Sequence, residues 1–193
     1  SELSDFNRVI ERHVFGDTDQ RALWLTHDFR SESGTKNVES HPLDFTPDVH
    51  AILWSLPNGL QAYMLADPEG SRLNTGPLEI FQDPALPDFA VRGAVSCIGC
   101  HVTGLIFAED IIRHDLDNGQ SQTQFDQPTK DAIRNLYPLR ADFAELLAED
   151  TNRFLGALSA VGVSPDEEEP VMAAFQAFAV ELDVSRAAAE LGG

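Results

Sequence analysis

The chain has 193 residues, 42% of them hydrophobic, with 32 acidic against 13 basic side chains and a formal net charge of −19. That length and apolar content suffice for one good core, which excludes a disordered polypeptide, and the acidity repels phosphate backbones, which excludes nucleic acid as a partner. No apolar run approaches the ~18 residues that cross a bilayer, so no membrane span is expected.

In chain order, Arg21 to Arg30 reads as a strand carrying Trp24, and the polar stretch Ser31 to Pro47 as a loop. Two apolar runs, Ala51–Leu56 and Leu60–Leu65, flank Pro57-Asn58-Gly59, which predicts a β-hairpin over 51–66. Asp67-Pro68-Glu69-Gly70 is the turn that ends its second strand. Proline and glycine breaks carry the chain from 71 to 94. A short helix, interrupted at Gly93 and Gly104, is expected within Asp88–Leu105, and a helical turn or two over Ala108–Asp115. Pro128 announces a helix over Thr129–Leu136. Arg140 to Val161 places Phe143, Leu146, Leu147, Phe154, Leu155 and Leu158 at helical spacing and stops at Gly162. Ser164-Pro165-Asp166 restarts a helix through Met172, Phe175, Phe178 and Leu182, with the acids 166–169 in its first turn. Ser185 to Gly193 reads as a last helix ending on glycine. The fold class expected is α+β, a small antiparallel sheet in the N-terminal half packed on four or five helices. The extended part spans 1–87 and the helical part 88–193, together forming one compact domain.

Cys97-Ile98-Gly99-Cys100-His101 holds both cysteines of the chain. Cys-x-x-Cys-His is the attachment sequence of a c-type haem. On a helical turn, residues three and four apart share a face, so Cys97, Cys100 and His101 reach one edge of a flat macrocycle together. Each thiol adds to a vinyl group, and the imidazole supplies the proximal iron ligand. A zinc site would want four ligands, and His114, the next histidine, has no partner at the required spacing. A thioredoxin-like pair wants a βαβ context that the surrounding sequence lacks. A disulfide here would close too short a loop to stabilise much. The cofactor expected is therefore one covalent haem c.

The sixth iron position has several candidates. Met64 is the first, on the second hairpin strand beside small alanines. Met172 lies downstream in an apolar helical stripe, and His41 sits in a loop made rigid by Pro42. His13, His27, His50 and His114 are further histidines, and Met64 and Met172 also suit ordinary core packing. Trp24, Trp54 and Tyr63 read as core or pocket walls. Arg92 and Arg72 are candidate partners of haem propionates.

Cys97–His101 resembles the motif of c-type cytochromes. Leu56-Pro-Asn-Gly-Leu-Gln61, followed by Val95-Ser-Cys-Ile-Gly-Cys-His101, also resembles a group of secreted bacterial proteins with a cytochrome c-like domain. The resemblance implies an exported haem protein, periplasmic or extracellular, whose signal peptide is absent from this sequence. The motif lies mid-chain behind some ninety strand-rich residues, unlike that of small soluble cytochromes. The expected role is electron transfer with an unidentified redox partner and no catalytic residues. A haem-based sensor or gas-binding module of a larger secreted protein is the alternative, followed by a haem peroxidase. The spread-out acids read as a solvating surface rather than a single steering patch.

Overall fold

The computed structural model describes residues 8–16, 21–119, 123–179 and 183–192. Five antiparallel strands form a meander in which each pairs with the next: β1 (Arg8–Phe15), β2 (Arg21–Asp28), β3 (Val49–Ser55), β4 (Gln61–Ala66) and the two-residue β5 (Arg72–Leu73). The hairpin expected over 51–66 is the β3–β4 pair. Its turn closes through Gly59 N–H donating to Leu56 O at 2.9 Å, with Gly59 at φ 85°.

Register sorts the two faces of the sheet. Arg12, Trp24, Leu53 and Tyr63 stand opposite one another across four strands, and the next row, Glu11, Leu25, Ile52 and Met64, points the other way.

A 3-10 turn at Gly34–Lys36 lies between β2 and β3, and the six described α-helices follow the strands: α1 (Val95–Cys100), α2 (Ile112–Asp117), α3 (Gln127–Leu136), α4 (Arg140–Ala160), α5 (Pro170–Ala179) and α6 (Val184–Glu190). That is more than the four or five expected. In α4 the residues Phe143, Leu147, Asp150 and Phe154 recur every three or four positions and are buried. This stripe lies on the Trp24 face of the sheet, where Trp24 and Phe143 meet edge to face with ring centroids 5.9 Å apart. Asp150, only 3% exposed within that apolar stripe, accepts from Arg12 Nε at 2.8 Å and Arg12 Nη2 at 3.2 Å, and from Trp24 Nε1 at 2.8 Å. A buried carboxylate needs such partners, and the pairing in turn holds the Arg12 pKa above its ordinary value. The other face is covered at one end, where Val9 packs with Phe29, Val38, Ile112, Leu116 and Ile133.

Three helix boundaries differ from the sequence reading. The motif segment is helical only over 95–100, because Ala94 and Gly104 both take positive φ. The helix expected to restart near Asp166 begins at Pro170, the ring's fixed φ suiting the first turn, while 164–169 lie outside it, with a turn at 165–166. Of its expected apolar stripe, Met172 is buried but Phe178 is 90% exposed, and Leu182 lies outside the described residues. No described helix is long and apolar enough to cross a membrane.

Candidate functional site

The segment before the cysteines is pinned to the edge of the sheet. Gly76 N–H donates to Val91 O at 3.0 Å and Gly93 N–H to Asn74 O at 2.8 Å, framing an antiparallel bridge between Thr75 and Arg92. Gly93 is needed there, since a Cβ would stand 3.2 Å from Leu73 O. Ala94 then turns the chain into α1 at φ 68°, a conformation that costs about 1–2 kcal/mol for an L-residue. Buried Ser96 secures the turn by accepting from Arg92 N–H through Oγ at 2.9 Å.

On α1, Cys97, Cys100 and His101 fall on one side of the turn. Both cysteines are free thiols, Cys97 half-buried and Cys100 exposed. Burial pushes the Cys97 thiol pKa up, and Cys100 and Asp83 add to this. Burial and then Asp83 raise Cys100 likewise. Asp83 is itself only 3% exposed. Its Oδ1 accepts from Ala85 N–H at 3.0 Å, while Oδ2 has no hydrogen-bond partner among the described residues.

His101 is held from behind. Its Nδ1 lies 2.8 Å from Gly104 O, and because a carbonyl only accepts, Nδ1 carries the proton. Burial holds the imidazole pKa below its ordinary value, although the Gly104 carbonyl pulls it upward. The neutral ring therefore keeps a lone pair on Nε2, which makes no hydrogen bond among the described residues. The turn that presents Gly104 O is tight. Gly104 N–H donates to His101 O at 2.9 Å, Gly104 sits at φ 97°, and a Cβ there would lie 3.0 Å from Thr151 Cγ2 of α4. Tyr63 of β4 lays its ring 5.5 Å from the His101 ring, centroid to centroid, at 33°.

Beside this turn lies an apolar cleft of about 160 Å³, open to solvent. Tyr63, Ile98, Val102, Phe154 and Leu158 line it, and Glu167 and Glu169 are its only charged lining residues among those described. It meets α1 through Ile98 and Val102 rather than through the thiols.

The sequence candidates for the sixth position are scattered. Strand alternation sends Met64 to the face opposite Tyr63, and hence away from His101. Met172 is buried with Sδ 3.1 Å from where a Gly99 Cβ would stand, roughly 160° around the helix from His101. His41 bonds Ser40 Oγ through Nδ1 at 3.0 Å in its loop. His13 and His27 reach Glu11 from the Met64 face at 2.8 and 3.0 Å, and the His50 ring meets that of His27 at 4.8 Å. Arg92 pairs with Asp88 at 2.5 Å, and Arg72 is exposed on β5. Sequence reasoning took Gly104 as a helix breaker and missed its carbonyl. Nothing in the sequence signalled Asp83.

No protein-family model, curated protein or solved structure matches the chain. What the residues can hold follows from the donor set. Two free thiols three positions apart, next to an imidazole whose Nδ1 is tied to a carbonyl and whose Nε2 has no hydrogen bond among the described residues, fit covalent haem c. Iron-bound histidines are ordinarily oriented by such a second hydrogen bond.

Proposed function

We propose that this chain is a monohaem c-type cytochrome that carries single electrons, exported to the periplasm or the cell exterior. The observation that carries the reading is His101, fixed through Nδ1 on Gly104 O with Nε2 open, on the same helical turn as two free thiols. Cys97 and Cys100 would hold the porphyrin by thioether bonds and His101 the iron. Bound haem supplies a one-electron iron couple. The chain's part is to fix the imidazole tautomer, to pack Tyr63 against the ring, and to leave the Cys100 edge at the surface, where a redox partner can approach.

A second reading, a gas-binding haem module, is favoured by one observation: Met64 and Met172 both lie away from His101, which leaves no methionine on the iron side. Expression with a haem-ligation system tests both readings. Covalent haem is expected to appear as a mass increment and as colour that survives denaturation, and colourless protein with two titratable thiols would overturn either reading. Low-spin six-coordinate spectra in both oxidation states support electron transfer. A five-coordinate ferrous form that binds CO supports the gas-binding module instead.

A further inference from the structure

We infer that the cleft between α1, β4 and the end of α4 is a binding site for a small, flat organic cation, distinct from the Cys97–His101 attachment face. Its walls are apolar and partly aromatic, with Tyr63 and Phe154 among them, and its volume of about 160 Å³ is enough to take one aromatic ring, the rest of the guest lying at the open mouth. The charge in it has one sign. Glu167 is exposed at the rim and Glu169 half-buried, with no lysine or arginine in the lining among the described residues. Glu169 is held in place because its Oε2 accepts from Met172 N–H at 2.7 Å. Aromatic faces beside fixed carboxylates favour a cation over a neutral or anionic guest. The site lies on the Ile98–Val102 side of α1, so it does not use the thiols, and the inference stands whether or not they carry haem.

Calorimetric titration of the purified chain with thioflavin T, a flat aromatic cation, tests this. Anilinonaphthalenesulfonate serves as the anionic counterpart. Mass and colour establish the haem state beforehand, so failure of the haem reading is scored separately. One cation is expected to bind per chain, and the anion much more weakly. The double variant Glu167→Gln, Glu169→Gln keeps the hydrogen-bond acceptor at 169 and is expected to weaken cation binding roughly tenfold. Asp142→Asn with Glu145→Gln, an equal charge loss on the exposed face of α4, is expected to change it by less than about twofold. Leu158→Arg, which puts a competing cation into the wall, is expected to abolish it. Equal losses from the two double variants, equal binding of the anion, or full binding by Leu158→Arg would overturn the inference. So would binding that occurs only in haem-free protein, which would make the cleft the haem's own seat.

Discussion

Gly104 shows how much one backbone position governs at the residue scale. Its carbonyl fixes the His101 tautomer, its φ of 97° makes the turn possible, and its missing side chain lets α4 approach. Gly104→Ala meets the left-handed penalty and also a contact with Thr151, whose β-branched side chain has little rotamer freedom in a helix. The expected loss is about 2–3 kcal/mol. The longer His101–carbonyl hydrogen bond also makes the imidazole a weaker donor, so the reduction potential of the haem-loaded chain is expected to rise. Gly70→Ala is the control. Gly70 has φ 86° with nothing within 4 Å of its would-be Cβ, so that variant loses only the backbone term and leaves the potential unchanged. Potentiometry in parallel with thermal melts checks this, and equal potentials in both variants would remove the orienting role from Gly104.

Among the elements, α4 joins the sheet to the motif, and the Arg12–Asp150–Trp24 cluster is its anchor. Truncating Asp150 to alanine leaves the half-buried Arg12 cation without its carboxylate and the buried Trp24 N–H without an acceptor. Breaking a buried pair in this way costs about 3–5 kcal/mol. The expected result is a large fall in the denaturant midpoint with an unchanged slope, whereas a cost under about 1 kcal/mol would mean that α4 is held by its apolar stripe alone. The apolar part of this element was legible in the sequence, because Phe143, Leu147 and Phe154 recur at helical spacing. Asp150 was not, since spacing alone cannot distinguish a buried acid from a solvent-facing one until Arg12, far away in sequence, is brought opposite it. The β3–β4 hairpin was legible for the same local reason, a Pro-Asn-Gly turn between apolar runs. The helix after 164 was misplaced because an acidic run resembles a helix start, whereas here Pro170 sets it. That Cys97, Cys100 and His101 share one turn was legible as spacing. That neither methionine faces His101 depends on strand parity and on the contact between Met172 and Gly99, neither of which spacing encodes.

For the whole molecule, the balance of charge sets the response to salt. Thirteen cations against 32 acids leave an excess of 19 negative charges (32 less 13), however the groups pair. Several cations are engaged locally at the surface, Arg113 and Arg134 with Asp117, Arg140 with Glu109 and Arg153 with Glu149. Each exposed pair is worth about 0–1 kcal/mol, and the excess acids repel one another across the entire surface. The screening length falls from about 30 Å at 0.01 M salt to about 3 Å at 1 M, so added salt removes long-range repulsion among many groups while weakening only a few short attractions. The melting temperature is therefore expected to rise by several degrees, about 3–6 °C, between 10 mM and 0.5 M sodium chloride, and by the same amount in potassium chloride if screening rather than ion binding is responsible. Asp150 is buried and pairs with Arg12 inside the protein, where salt screens much less than at the surface, so the destabilisation caused by Asp150→Ala should be nearly equal at the two salt concentrations. A melting temperature that falls with salt would mean that attraction within the surface pairs outweighs repulsion among the excess acids.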